Sequence, residues 1–338
     1  MSEKKRISQV PTNIITGFLG TGKTTAILNL LKHKPANEKW AVLVNEFGEV
    51  GVDGSLFEGQ HGEGNGVFIR EVPGGCMCCT AGLSMQIALN SLLDKARPDR
   101  LLIEPTGLGH PIEVLEVLTG EYYQEALSVN KTITLVDARN LSDSRYTNHQ
   151  IFNQQIAIAD IVVGNKSDLY EASEAEDLKN YPQRLGNYLA KVLVTENGVI
   201  DPAVLNGVTR SFAKVSPNPH DHDHDHDEQK TPVSELSVPE SGYLKAENQA
   251  AGFKSVGWRF SPVQTFSRDQ LISFIKSLDV ERLKGVFITE TGIFGYNLTP
   301  DGLTEVVIDD CMESRVEIIA DEINDHWETQ LMECITER

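Results

Sequence analysis

The most informative segment of this chain is Gly17-Phe18-Leu19-Gly20-Thr21-Gly22-Lys23-Thr24. It matches the pattern G-x-x-x-x-G-K-[ST], in which glycines let backbone N–H groups approach phosphate, the lysine meets the β- and γ-phosphates, and the last hydroxyl binds Mg²⁺. A short predicted buried strand at 13–16 precedes the motif and a helical pattern at 25–31 follows it, as a phosphate loop requires. The sequence therefore predicts a nucleoside triphosphate site formed by Gly17, Gly20, Thr21, Gly22, Lys23, Thr24 and Thr25. Lys23 is also a catalytic candidate.

The base is indicated by a second motif, Asn165-Lys166-Ser167-Asp168. It follows an apolar run at 160–164, so its side chains should emerge at the carboxyl edge of a parallel sheet, where such folds bind ligands. A carboxylate there can accept hydrogen bonds from both the N1–H and the exocyclic amine of guanine, a pattern that adenine does not supply. We therefore predict that the nucleotide is GTP and that Asn165, Lys166 and Asp168 bind it.

Three cysteines, Cys76, Cys78 and Cys79, lie within four residues between glycine-containing turns. Thiolates at this spacing are typical ligands of soft divalent metals. Because adjacent cysteines tend to point apart, we expect two thiolates to bind one ion and another residue to complete the site, with Glu49 as the candidate. The alternative is a group of small buried side chains, since unpaired cysteine is common in protein cores.

Acidic residues occupy the loop between the phosphate motif and the cysteines, where Glu46, Glu49 and Asp53 follow an apolar run. In P-loop enzymes such loops sense the γ-phosphate and Mg²⁺. These acids are candidates for orienting water, for holding Mg²⁺ through its waters, or for binding the second metal, and the sequence leaves the three roles undivided. Asp53 is the catalytic candidate among them.

A further acid and a glycine follow the apolar run 101–103, at Glu104 and Gly107. This is the expected pattern for a carboxylate beside Mg²⁺ and a mobile backbone N–H that contacts the γ-phosphate. Both residues are therefore catalytic candidates together with Lys23.

Composition narrows the class of protein. The 338 residues carry 30 Lys and Arg against 49 Asp and Glu, a net charge of −19, which disfavours nucleic acid and anionic membranes as partners. No apolar run approaches the ~20 residues of a membrane span, and the N-terminal residues lack the apolar segment of a signal peptide. Five cysteines, three of them clustered, do not form a disulfide framework. We expect a cytoplasmic protein with reduced thiols.

The order of patterns along the chain predicts an α/β fold of the P-loop NTPase type, with a parallel sheet covered by helices on both faces and a smaller C-terminal α+β domain. The predicted domains are 1–212 for the nucleotide-binding part, 213–250 for a flexible His/Asp-rich linker, and 251–338 for the second domain. Predicted strands of the first domain are 13–16, 40–44, 67–71, 100–103, 132–136, 160–164 and 191–195, and predicted helices are 24–33, 82–96, 110–118, 148–158 and 173–189. In the second domain Cys334 is expected in the core.

The linker carries four histidines that alternate with aspartates, His220, His222, His224 and His226. Such a run is a flexible chelator for Zn²⁺, Ni²⁺ or Co²⁺. We expect weak, exchangeable binding, because ordering a flexible segment costs conformational entropy at each residue. The alternative is a solvated polar linker without a metal.

These motifs together resemble the CobW-type metal-chaperone GTPases, most of all their zinc-binding YeiR-like branch. The resemblance rests on TGFLGTGKTT at 16–25, NEFGEVGVD at 45–53, GGCMCCTAGL at 74–83, LLIEPTGLGHP at 101–111 and NKSD at 165–168. It implies GTP hydrolysis coupled to handling Zn²⁺ through the three cysteines, with delivery to a client metalloprotein. Several relatives carry Glu immediately before Asn45, where this chain has Val44, so a ligand set that uses that acid is not carried over.

The resulting expectation is a slow, metal-modulated GTPase that is a monomer or a nucleotide- or metal-dependent homodimer. One alternative is a metal-storage protein in which nucleotide turnover is incidental. Another is a small-molecule kinase with the same phosphate cradle, against which the guanine motif and the cysteines both argue.

Overall fold

The computed structural model describes residues 7–45, 66–72, 81–210, 238–239, 241–250, 253–308 and 311–336. Within these ranges the N-terminal half forms a parallel sheet of eight strands, in the order β3-β2-β4-β1-β6-β7-β8, with β5 beside β1. The strands are β1 (Val10–Gly17), β2 (Trp40–Asn45), β3 (Val67–Val72), β4 (Arg100–Glu104), β5 (Leu127–Val129), β6 (Ile133–Val136), β7 (Ile161–Gly164) and β8 (Lys191–Val194). This sheet confirms the predicted P-loop architecture.

Helices cover both faces of the parallel sheet because successive strand residues point to opposite sides. Ile14 packs in one apolar cluster with Leu89 of α2 and Leu115 of α3, whereas the next residue, Ile15, packs in another with Ile27 of α1. The helices are α1 (Lys23–Lys32), α2 (Ala81–Ala96), α3 (Pro111–Thr119), α4 (Ser144–Thr147), α5 (Gln150–Ala157) and α6 (Ala172–Arg184). No helix in the described ranges is long and apolar enough to cross a membrane.

A second sheet of six antiparallel strands follows, in the order β13-β12-β11-β14-β10-β9. Its strands are β9 (Tyr243–Ala250), β10 (Phe253–Phe260), β11 (Arg282–Thr289), β12 (Gly292–Thr299), β13 (Gly302–Ile308) and β14 (Arg315–Ala320), and its helices are α7 (Arg268–Ser277) and α8 (His326–Glu333). The helices share one apolar core with residues such as Trp258 and Phe287. Cys334 lies in this core, as predicted, and its burial raises the pKa of the thiol to about 11.

Two edge strands differ from the sequence prediction. The predicted linker runs to residue 250, but Tyr243–Ala250 forms β9 and pairs with β10 along its length. Its sequence, YLKAENQA, lacks the apolar alternation of a half-buried strand, because an edge strand leaves much of its surface to solvent. β13 was missed for the same reason, since most of its side chains are partly or fully exposed. The linker prediction therefore extends too far towards the C-terminus.

The face of the second sheet opposite its helices packs against the carboxyl edge of the parallel sheet. Ile319 of β14 belongs to an apolar cluster with Phe18 and Val136 of the first domain, and the rings of Phe18 and Phe253 are 6.2 Å apart. This contact places β11 and the turn after β12 over the phosphate loop.

Candidate nucleotide site

The phosphate loop joins β1 to α1 and is shaped by glycine. Gly22 has a φ of 90°, and a Cβ at this position would lie 2.4 Å from Nδ2 of Asn165, so a larger residue is excluded by both strain and space. Helix α1 begins at the next residue, and within the described part of the chain no side chain caps its N-terminus. The N–H groups of its first turn are therefore available to an anion.

Lys23 lies inside the loop rather than on the surface. Its side chain is 6 % exposed, and Nζ donates a hydrogen bond to the carbonyl of Phe18 at 3.1 Å. Burial lowers the pKa of Lys23 to about 8, against the opposing effect of Glu104 and with a further lowering by Arg282. A phosphate group at this position would supply the negative charge that a buried ammonium favours.

Thr24 and Glu104 form the part of the site that suits Mg²⁺. The Thr24 hydroxyl donates to Oε1 of Glu104 at 3.0 Å, and Glu104 is 2 % exposed at the end of β4, which neighbours β1. A hydroxyl and a carboxylate are the oxygen ligands that Mg²⁺ uses beside phosphates. The donor set therefore fits the ion that the motif predicts. Thr25, the next residue, is exposed on the first turn of α1.

Gly107 lies against the phosphate loop. A Cβ at this position would be 2.9 Å from Cδ2 of Leu19 and 3.2 Å from Nζ of Lys23, so a larger residue would push these side chains away. Gln155, buried in α5, donates a hydrogen bond to the Gly107 carbonyl at 3.0 Å. The sequence prediction missed Gln155, which lies 48 residues away in the chain and belongs to no motif.

The second motif is connected to the phosphate loop through Asn165. Its Nδ2 donates to the Thr21 carbonyl at 2.9 Å, and its Oδ1 accepts from the Gly198 N–H at 2.8 Å. Asn165 therefore ties the phosphate loop to the segment that follows β8. Asp168 is exposed, with its carboxylate accessible to a base.

Asp301, in the turn between β12 and β13, reaches the base-binding motif from the second domain. It forms ion pairs with Lys166 and with Arg139, the latter at 2.7 Å. The hydrogen bond from Arg139, followed by that from Lys166, outweighs partial burial and lowers the pKa of Asp301 to about 2. No sequence motif indicated this contact.

Several predicted site residues lie outside the described residues: Glu46, Glu49, Asp53, Cys76, Cys78, Cys79, His220, His222, His224 and His226. Among the residues that the structure does describe, no group of three or more His, Cys, Asp and Glu side chains is placed to hold a metal ion. The metal site therefore stays a prediction from the sequence.

Comparison with known proteins gives consistent matches. The family model for the CobW/HypB/UreG nucleotide-binding domain matches residues 11–193. The chain is 40 % identical over 313 residues to the zinc chaperone YeiR of Escherichia coli, covering 91 % of this chain and 92 % of that protein. It is also 28 % identical over 223 residues to the zinc chaperone CobW of a Sinorhizobium species, covering 59 % and 63 % of the two chains. The zinc chaperone YjiA of E. coli is 32 % identical over 205 residues, covering 59 % and 61 %.

Proposed function

This chain belongs to the CobW/HypB/UreG family, and from that premise we propose that it is a GTPase that couples GTP binding and hydrolysis to the binding and delivery of zinc. The observation that carries the proposal is the convergence of Lys23, the Thr24–Glu104 pair and the Gly107 backbone on one phosphate site. The relatives named as zinc chaperones support zinc as the metal cargo.

In this proposal the phosphates bind the N-terminus of α1 and the ammonium of Lys23, while Asp168 accepts the two guanine N–H groups. Mg²⁺ would be held by the Thr24 hydroxyl and by the Glu104 carboxylate, the latter directly or through water. A bound Mg²⁺ would neutralise negative charge on the β- and γ-phosphates. Gly107 donates its backbone N–H to the γ-phosphate. Asp53, the catalytic candidate among the acids before the cysteines, orients the attacking water.

Strand order supports a short path between the γ-phosphate and the metal cargo. In the register of the sheet Val44 of β2 pairs with Glu104 of β4, and Asn45 pairs with Val72 of β3. The acidic segment starts directly after Asn45, and the cysteine segment starts directly after Val72. Neighbouring strands are ~4.8 Å apart, so both segments leave the sheet within about 10 Å of the Mg²⁺-side carboxylate. We propose that GTP draws Glu49 and the cysteines together and that hydrolysis releases them.

Guanine recognition is tested by the variant Asp168→Asn. The amide keeps one acceptor but presents an N–H₂ group to a donor of guanine, so we expect GTP affinity to fall at least about tenfold, the loss of one charge-assisted hydrogen bond. Xanthosine triphosphate, which carries an acceptor in place of the exocyclic amine, should gain affinity. Competition against a fluorescent GTP analogue measures both effects.

The matched control for this test is Asp279→Asn, an exposed aspartate that precedes β11. It should leave both affinities unchanged. Unaltered GTP binding by Asp168→Asn would contradict the assignment of guanine to this motif.

Turnover of GTP by the unaltered protein without a phosphate acceptor excludes the small-molecule kinase.

A further inference from the structure

The second domain contributes a cation to the predicted magnesium position. Nζ of Lys284, in β11, donates a hydrogen bond to Oγ1 of Thr24 at 3.1 Å, across 260 residues of chain. The same hydroxyl donates to Glu104. The ammonium therefore contacts the hydroxyl through which a P-loop protein binds Mg²⁺.

A second cation of β11 lies on the same face of the strand, because side chains two residues apart point to one side. Arg282 and Lys284 are each 8 % exposed. Arg282 is close enough to Lys23 to lower the pKa of its ammonium, after the larger effect of burial. Both cations of β11 are therefore directed at the phosphate site rather than at solvent.

The balance of charge around this site favours an anionic ligand. Among the described residues that line the cavity, three are cations, Lys23, Arg282 and Lys284, and one is a carboxylate, Glu104. The buried residue Glu317 lies opposite Lys284 in the register of β14 and β11, and its carboxylate offsets part of this excess. Burying like charges is unfavourable unless a ligand or partner of opposite charge compensates them, and a triphosphate is such a ligand.

The space left between the two domains is small. A cavity beside Lys166 and Asp301 has a volume of about 160 Å³, whereas small-molecule sites typically measure ~300–1,000 Å³. The cavity between the phosphate loop and β11 and β12 is smaller still, about 60 Å³. Its wall on the second-domain side is formed by Arg282, Lys284, Asn297 and Thr299. A bound nucleotide therefore requires part of this wall to move back.

We propose that Lys284 and Mg²⁺ are alternative partners of the Thr24 hydroxyl, and that the second domain senses the loaded nucleotide through this exchange. The proposal rests on the proposed function, since it assumes a Mg²⁺–GTP site at the phosphate loop. In the empty protein the ammonium holds the magnesium position. When GTP binds without Mg²⁺, the ammonium at this position contacts phosphate oxygens. When Mg²⁺ binds the hydroxyl, repulsion between the two cations moves Lys284 away.

Removal of the Lys284 charge should weaken the binding of GTP and strengthen the binding of Mg²⁺. In the absence of Mg²⁺, GTP should bind about tenfold more weakly, because a charge-assisted contact to phosphate is lost. The Mg²⁺ concentration that half-saturates the GTP-bound protein should fall several-fold, because the ion no longer displaces an ammonium. Removal of a lysine with only a structural role would not weaken GTP binding and strengthen Mg²⁺ binding at the same time.

The experiment compares the full-length protein with Lys284→Ala and with Lys284→Gln, which keeps a hydrogen-bond donor and removes the charge. Fluorescent GTP is titrated in excess EDTA, and its dissociation rate is then followed against free Mg²⁺. Lys276→Ala is the control, since Lys276 is an exposed lysine of α7 in the same domain. Circular dichroism identifies any variant that fails to fold.

The proposal expects weaker Mg²⁺-free binding and a lower Mg²⁺ requirement in Lys284→Gln, with neither change in Lys276→Ala. Normal GTP binding with an unchanged Mg²⁺ requirement in Lys284→Gln overturns the exchange and leaves the proposed function standing. Failure of the unaltered protein to bind GTP at any Mg²⁺ concentration overturns the proposed function itself.

Discussion

Lys23→Ala should lower the affinity for GTP about 100-fold and abolish measurable turnover. The ammonium is buried within the phosphate loop and is the cation that the motif assigns to the β- and γ-phosphates. A charge-assisted contact of this kind contributes up to ~3 kcal/mol, which corresponds to about 100-fold in affinity. Fluorescent-nucleotide binding and phosphate release measure the two effects.

The control for Lys23→Ala is Lys32→Ala, which removes the same charge from an exposed position at the other end of α1. It should bind and hydrolyse GTP normally. The nucleotide-free Lys23→Ala variant should melt no earlier than the unaltered protein, because the burial that lowers the pKa of Lys23 marks its charge as unfavourable there. Retained turnover in folded Lys23→Ala would show that this loop is not the catalytic phosphate site.

The double variant Cys78→Ala/Cys79→Ala should lose high-affinity Zn²⁺ binding, with a fall in affinity of at least about 1,000-fold, since thiolates supply most of the binding energy of such sites. GTP binding measured without zinc should be unchanged, because the phosphate and base contacts lie in other segments. Competition with a chromophoric zinc chelator gives the affinity. Cys311→Ser, a half-buried cysteine of the second domain, is the control and should keep the tight site.

Deletion of residues 220–227 separates the chaperone from the storage protein in the same assay. A chaperone should keep the tight zinc site and lose only weak, exchangeable sites with the histidines. A storage protein should lose nearly all of its zinc capacity. If the double cysteine variant keeps high-affinity zinc binding and the deletion variant loses it, the functional zinc site lies in the linker.

The parallel sheet was predictable because its strands are buried on both faces and appear as continuous apolar runs. The prediction placed seven of its strands within three residues of their observed ends, and it missed β5, whose three residues are too few for a recognisable pattern. β9 was not predicted because an edge strand lacks the periodic apolar pattern of a buried strand. The local sequence pattern thus indicates how deeply a strand is buried. The pattern is weakest for strands that are only partly buried.

The proximity of the motif residues was predictable where phosphate binding requires short spacings along the chain. Lys23, Thr24 and Glu104 follow two neighbouring strands, and the structure brings them together as the motifs indicate. Lys284 and Asp301 were not predictable, since their contacts with Thr24 and Lys166 depend on how the second sheet packs against the first. Such contacts join residues more than 130 positions apart, and no local pattern records them.

In the proposed function GTP and zinc strengthen each other's binding, and linkage requires the effect to be reciprocal. The direct test is the Zn²⁺ affinity of the unaltered protein, measured by chelator competition with a non-hydrolysable GTP analogue and then with GDP. We expect the zinc affinity to be at least about fivefold tighter with the GTP analogue, the lower end of typical coupling between sites. Equal zinc affinities in the two nucleotide states would contradict it.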